Sequence, residues 1–326
     1  MILVTGANGF IGKTLCAKLC EKKMLVRAVT RSVEYLYSNA EVISVGEIGP
    51  TTEWGGALVG VDTVVHLAGL AHVQPKPKLH NHSRYHDINA MGTARIASQA
   101  AEKGVRRFVY LSTAKVCGDV TLNKPFDEKD VTNSKEPYTA SKLEAEKLLK
   151  NIAAKSRMEI VIIRPPLVYG PGVRANFHNM MCWLYRGIPL PLGSINNQRS
   201  FVAIDNLVDF ICLCLNHPSA ANQTFMVSDG KEISTTELLR FMTLALNVPD
   251  RLLSVPQGLL DWVTKAMGRD DLSQRLSASF QLDISKARRL LGWRAPVSME
   301  AALNRTAEYF LSSEKKHSYH KLRDKR

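Results

Sequence analysis

The chain has 326 residues, 45% of them hydrophobic and 22% charged, which is enough for a large α/β core and excludes a mini-protein. No stretch approaches the roughly 18 uninterrupted apolar residues that span a bilayer, and the start lacks the basic, apolar and cleavage regions of a secretory leader. The expected setting is cytoplasmic, and the formal charge of +13 points to anionic partners such as phosphate ligands.

Through the front half, short β-rich runs alternate with helical patterns: "MILVT", "LVRAVT", "AEVISV", "VDTVVHLA", "RRFVYLS" and "EIVIIRP". This is the βαβ signature of a parallel sheet covered by helices on both faces. The expected fold class is therefore α/β, a Rossmann doubly wound parallel sheet with a smaller, discontinuous C-terminal substrate lobe. Beyond Pro165 the alternation breaks up into loops such as "YGPGVRANF" and "GIPLPLGSINNQRS" between helices, as in a lobe that closes over a ligand. The expected division is 1–166 plus a returning segment near 199–228 for dinucleotide binding, and 167–198 with 229–311 for the substrate lobe. Ser234 with Glu237 three residues later is a capping box for a helix of that lobe. From Ser313 the tail carries six Lys/Arg against two acids with no apolar period. Residues 312–326 read as a basic flexible tail, with weak contact to a membrane or an acidic partner as the alternative.

Six cysteines without framework spacing read as reduced core thiols. Cys16 and Cys20 fall a helical turn apart, and Cys212 and Cys214 share an apolar helical stretch.

The first turn, "TGANGFIG", follows a strand and opens a helix. A helix N-terminus offers unpaired N–H groups and a partial positive charge to an anion. Gly6 permits the sharp turn, Gly9 the approach of a diphosphate, and Gly12 close packing of helix on strand. At the end of the second strand an acid would hold a ribose 2′-hydroxyl and an arginine a 2′-phosphate. Here Thr30, Arg31 and Ser32 stand there, favouring NADP over NAD, with Glu47 as an acid that could reach the adenosine end.

Tyr138 and Lys142 lie four apart on a helical pattern and project from one face. Lys⁺ beside the phenol, with a positive nicotinamide ring, is expected to draw the phenol pKa down toward neutrality, so that Tyr138 exchanges a proton with a sugar hydroxyl as hydride moves. Ser112 and Thr113, closing "YLSTAKVCG", put a hydroxyl within reach of the same oxygen.

"TGANGFIG", "HLAG", "DINAMGT", "LSTAKVCG", Tyr-x-x-x-Lys, "RPPLVYGPG" and "RSFVAIDNLVD" occur in this order and cover the chain to about Leu311. Together they resemble the extended short-chain dehydrogenase/reductases of the NAD-dependent epimerase/dehydratase family, which act on nucleotide sugars. The resemblance implies Thr113, Tyr138 and Lys142 as the catalytic group, with Asn89 positioning Lys142 through water. It implies NAD or NADP held by Gly6, Gly9, Phe10, Ile11, Gly12, Arg31, Glu47, Ile48, Leu67, Ala68, Gly69, Tyr138, Lys142 and Pro165. His72 and Thr113 would line the substrate pocket, and Asn176 and Arg199 would grip the nucleotide diphosphate. A homodimer through the helices around "NAMGTARIASQAAEK" and "YTASKLEAEKLLKNIAAK" is also implied.

Family dehydratases carry two acids after the threonine, whereas Ala114 and Lys115 stand here, so elimination of water lacks its acid and base. What remains is redox at carbon 4 of a UDP-sugar. Similarity to a UDP-glucose 4-epimerase-like subgroup, whose better-defined members resemble UDP-N-acetylquinovosamine dehydrogenases, implies a 4-ketoreductase on a UDP-4-keto-6-deoxy-N-acetylhexosamine for surface polysaccharide precursors. A UDP-glucose or UDP-N-acetylglucosamine 4-epimerase is the alternative. A non-catalytic dinucleotide sensor or RNA-binding scaffold is disfavoured, since such a protein need not keep a hydroxyl, a phenol and an ammonium together; nucleic acid is not an expected partner. Cys117 stands where most relatives have tyrosine, near the expected nicotinamide pocket. His80, His82 and His86 lie in a polar stretch without a completing ligand set, and no metal is expected.

Overall fold

A computed structural model describes residues 1–31, 40–71, 83–132, 134–256, 258–259 and 277–323. The strands are β1 Ile2–Thr5, β2 Val26–Thr30, β3 Ala40–Ser44, β4 Thr63–His66, β5 Arg107–Leu111, β6 Glu159–Arg164, β7 Leu167–Tyr169, β8 Phe201–Ala203 and β9 Gln223–Met226. The helices are α1 Phe10–Glu21, α2 Gly92–Glu102, α3 Pro137–Ala154, α4 Ala175–Tyr185, α5 Ile204–Asn216, α6 Thr235–Leu246, α7 Ser285–Leu291 and α8 Met299–Arg323.

All six runs read as strands from sequence are strands, and β9 joins them in a seven-stranded sheet ordered β3-β2-β1-β4-β5-β6-β9. Every neighbouring pair is parallel. Strands β1, β2, β4 and β5 are buried at every position, because helices cover both faces and leave no polar side for an alternating pattern. On one face Leu15 and Leu19 of α1 pack with Phe210 of α5 and Phe225 of β9. On the other, Ile96 of α2 and Leu149 of α3 pack with Trp54. Each such buried side chain contributes roughly 1.5–3 kcal/mol of transfer free energy.

The chain leaves β1 toward β2 and β3, then returns to place β4 on the opposite side of β1. Open parallel sheets bind ligands at such a reversal, outside the carboxyl ends of the strands. Thr5 and His66 are register partners there.

A second cluster holds Tyr169, Phe177, Leu239, Met242 and Phe310, drawn from β7, α4, α6 and α8. The capping box is formed at α6: Ser234 Oγ accepts from Glu237 N at 3.0 Å, and Glu237 Oε2 accepts from Ser234 N at 2.8 Å. Helix α8 carries helical backbone to Arg323, past the point where the sequence reads as a frayed end. Residues 299–323 contain neither glycine nor proline, so no residue interrupts the helix. Among the described residues no helix is long and apolar enough to cross a membrane, and the six cysteines are free thiols.

Candidate active site

The glycine turn lies at the reversal point and meets the tests its sequence sets. Gly6 has φ +66°, and a Cβ there would come within 2.9 Å of Ala68 N. A Cβ on Gly12 would stand 2.1 Å from Gly6 O, so any side chain would pry α1 off β1. Gly9 is the N-cap of α1; no side chain caps the helix and no acid occupies its first turn. The first-turn N–H groups, including those of Phe10 and Ile11, thus face outward at the strand ends, as a bound diphosphate requires. The turn fits a dinucleotide.

Along the rest of the expected cofactor cleft, Leu67, Ala68 and Gly69 follow β4 and lie against this turn, with Ala68 N donating to Thr5 Oγ1 at 3.2 Å. Pro165, after β6, accepts from Ala114 N at 2.9 Å and so ties the end of β6 to the Thr113 turn. Arg31 stands exposed at the end of β2. Glu47 is exposed and pairs with Arg84 at 3.7 Å, while Ile48 packs against Gly92, where a Cβ would meet it at 2.8 Å.

Four segments carry the side chains expected to react. Helix α3 begins with Pro137, and the Glu136 carboxylate caps it by accepting from Tyr138 N and Thr139 N at 3.3 and 2.8 Å. This fixes Tyr138 in the first turn with Lys142 one turn behind it. The ammonium of Lys142 is buried, donates to Leu111 O at 2.9 Å and sits 4.7 Å from the centre of the Tyr110 ring. Thr113 caps a short 3-10 turn, Ala114–Cys117, and its hydroxyl lies near the Tyr138 phenol, where it favours the ionised form. Ser112, the other hydroxyl considered from sequence, turns away and donates to Glu146 Oε1 at 2.5 Å.

Asn89 lies in a π-helical turn, His86–Met91, directly before α2; such turns recur at functional sites because they rotate one residue out of helical register. Its amide spans two segments, donating to Leu70 O and Ser141 Oγ, both at 3.0 Å, while its Oδ1 accepts from Leu70 N at 2.7 Å. A Cβ on Gly69 would find Asn89 Oδ1 at 3.1 Å and Lys142 Nζ at 3.3 Å, so both atoms face the same point. Thr113, Tyr138, Lys142, Asn89 and Gly69 are therefore brought together from four separate parts of the chain.

Two expectations change. Burial pushes the Tyr138 phenol up to about 12, with the nearby Thr113 hydroxyl acting in the opposite sense. In the ligand-free protein burial thus dominates, and the fall toward neutrality expected from Lys142 together with a positive nicotinamide ring is not reached; the Lys142 ammonium donates to Leu111 O, and burial lowers its own pKa to about 8. Cys117 does not line an open pocket; it is buried, and its sulfur accepts from Arg164 Nη1 at 3.5 Å. Arg164 and Glu146 form an ion pair with 2.6 and 3.0 Å contacts, each side chain only 1% exposed.

Sequence reasoning missed a buried relay on His66. Thr93 Oγ1 donates to Asn89 O at 2.7 Å, so it accepts from His66 Nε2 at 3.0 Å. Thr5 Oγ1 accepts from Ala68 N and donates to His66 Nδ1 at 2.7 Å. One neutral tautomer satisfies the whole chain of bonds and ties the glycine turn to the Asn89 turn. The signal was present as the histidine of "HLAG".

Burial, then the charge of Lys142, lowers the His66 pKa from 6.5 to about 3. The unfolded chain takes up this proton below pH 6.5 while the folded ring stays neutral to about 3, so the native state loses stability as pH falls through that window. Between pH 7 and 5 the loss from this group should be about 2 kcal/mol. Urea unfolding of the wild type and His66→Gln at both pH values measures it; an equal acid loss in the two proteins would remove His66 as its source.

In the part of the chain expected to bind substrate, Asn176 is exposed in the first turn of α4. Arg199 is half-buried beside β8; its Nη1 donates to Ala278 O at 3.4 Å, and burial lowers its pKa. His72, His80, His82 and Ser32 lie outside the described residues, and His86 is exposed next to Asp87.

A diphosphate turn beside a hydroxyl, a phenol and an ammonium, on this sheet order, is the arrangement of an extended short-chain dehydrogenase/reductase. The chain belongs to the NAD-dependent epimerase/dehydratase family, whose model matches residues 2–228. It is 40% identical over 316 residues to a UDP-glucose 4-epimerase of Vibrio cholerae, covering 96% of both chains. It is 26% identical over 323 residues, 94% of both chains, to an N-acetyl-alpha-D-glucosaminyl-diphospho-ditrans,octacis-undecaprenol 4-epimerase of Escherichia coli O157:H7. Among solved structures, MoeE5 in complex with UDP-glucuronic acid and NAD shares the fold at a TM-score of 0.77 and 24% identity, over 96% of this chain and 99% of that one. A UDP-glucose 4-epimerase from Thermotoga maritima with UDP-glucose does so at 0.76 and 24%, over 96% and 99%.

Proposed function

We propose that the protein is a UDP-hexose 4-epimerase, with Tyr138 as the acid/base, Thr113 as its hydrogen-bonding partner on the substrate oxygen, and Lys142 as the charge behind them. The observation that carries the reading is the placement of Tyr138 one helical turn from a buried Lys142, with the Thr113 hydroxyl near the phenol and no carboxylate at 114 or 115. Ala114 is buried, and Lys115 turns to Asp119 at 3.4 Å, so the site is furnished for proton and hydride exchange and not for elimination. The 40% identity to a UDP-glucose 4-epimerase supports epimerase over the 4-ketoreductase expected from the sequence.

In this reading NAD supplies the hydride acceptor and a positively charged ring that favours the Tyr138 phenolate. Tyr138 takes the proton of the C4 hydroxyl as the C4 hydride departs. Thr113 steadies the oxygen as it becomes a carbonyl. After the keto sugar turns its other face, Tyr138 returns the proton while hydride is restored to carbon 4, so nothing is consumed. Lys142 remains charged below about pH 8, and its positive charge favours the Tyr138 phenolate over the neutral phenol. Asn176 and Arg199 are the groups of the second lobe offered to the diphosphate, Arg199 by charge and Asn176 by its amide.

Arg31, in place of an acid at the end of β2, favours a second reading: an NADP-dependent reductase of a UDP-4-keto sugar. Incubation with UDP-glucose and UDP-N-acetylglucosamine without added cofactor separates the two. Inversion at carbon 4 of either is the expected result, whereas turnover only with a 4-keto substrate and added NADPH would establish the reductase instead.

A further inference from the structure

Away from the cleft, His178 and Cys182 lie one turn apart on α4 and face Glu314 on α8. One ligand atom from each of the three lies within 4.8 Å of the other two, and all three residues are half-buried. His178 Nδ1 is 3.5 Å from Cys182 Sγ. The imidazole is braced edge-on by Phe310, with ring centres 5.5 Å apart, and Phe310 belongs to the core that joins α4, α6 and α8.

A Zn–S bond of about 2.3 Å and a Zn–N bond of about 2.0–2.1 Å, set at a tetrahedral angle, separate S from N by about 3.6 Å. The observed 3.5 Å is that edge. A weak hydrogen bond between thiol and imidazole would give a similar distance, but it leaves the Glu314 carboxylate unexplained.

We infer that His178, Cys182 and Glu314 form a binding site for a Zn²⁺-class divalent cation, with a fourth position open to water. Thiolate and imidazole select zinc over magnesium or calcium, which prefer all-oxygen sites. On ligation Cys182 releases its thiol proton to solvent, and no oxidation or reduction is involved. The hydride chemistry needs no ion, and the site's consequence is mechanical. It pins α4, which carries Asn176 in its first turn, to α8. The sequence held the signal as His-x-x-x-Cys in "HNMMC", but the third ligand lies 132 residues further on, and only packing of α8 on α4 supplies it. This site does not depend on the proposed function.

Tag-free, reduced protein titrated with Co²⁺ tests it directly. The wild type should bind one equivalent with a thiolate-to-cobalt charge-transfer band in the near ultraviolet, and Zn²⁺ should bleach it. Cys182→Ser should abolish the band, and His178→Ala should weaken binding roughly tenfold or more, since even outer partners of a ligand contribute that much. Zn²⁺ should raise the thermal midpoint of the wild type and leave that of Cys182→Ser unmoved. A wild type without the band, or a band that survives unchanged in Cys182→Ser, overturns the assignment.

Discussion

Tyr138→Phe should lower turnover by roughly 10²–10⁴-fold, the range over which a positioned proton donor and acceptor acts, while dinucleotide binding stays within a few-fold of the wild type. The phenol hydroxyl lies near the Thr113 hydroxyl, whereas the glycine turn proposed for the diphosphate is built by residues 5–12 and 68. Removing one oxygen leaves that turn intact. The variant also reports on the electrostatics. In the free protein the Tyr138 phenol is pushed up to about 12 by burial, so an ultraviolet pH titration of the wild type minus Tyr138→Phe should show no phenolate below about pH 10. Unchanged activity in the variant would remove Tyr138 from the chemistry. A phenolate already present near pH 7 would mean that Lys142 alone activates it.

The second large effect lies in the support of the site. Glu146→Gln should cost about 3–5 kcal/mol of stability, because it leaves the Arg164 guanidinium buried without its counter-charge. The pair is 1% exposed on both sides, so water cannot take the place of the missing carboxylate. Arg164 further donates to Glu128 O at 3.1 Å and to Asp130 O at 3.4 Å, which ties the loop after the Thr113 turn to β6. The double variant Glu146→Leu with Arg164→Met should recover much of the loss, since two apolar residues of similar volume remove both desolvated charges at once. Urea unfolding of the three proteins measures this. A cost under about 1 kcal/mol for Glu146→Gln would show that the pair is hydrated in solution. Glu146 also raises the Lys142 pKa against the effect of burial, so the same change should move the ammonium further down and narrow the pH range of activity from its alkaline side.

Much of this protein is written in local patterns. A strand buried on both faces must be apolar throughout, and "DTVVHLAG" and "EIVIIRPP" could hardly be anything else. A capping box needs only residues three apart, and Ser234 and Glu237 form it as read. The glycine turn is equally local: its function rests on what Gly6 and Gly12 lack, and the short distances to Ala68 N and Gly6 O follow from the strand-turn-helix that the sequence announces. Tyr138 and Lys142 share a helix, so their common face was legible before any tertiary contact was known.

The sequence alone determined the sheet, the glycine turn and the shared helical face of Tyr138 and Lys142, because each depends on a periodicity or spacing within one segment. Only the tertiary structure decided which hydroxyl meets the phenol, and it chose Thr113 because Ser112 is drawn to Glu146. It also decided that Cys117 belongs to the Arg164 network and that His66 links Thr5, 61 positions away, to Thr93, 27 positions away. Above all it set the sign of the Tyr138 shift. A charge read from sequence acts as though it stood in water beside its neighbour, whereas a folded interior first penalises every charge it buries and lets carbonyls such as that of Leu111 compete for the ones that remain.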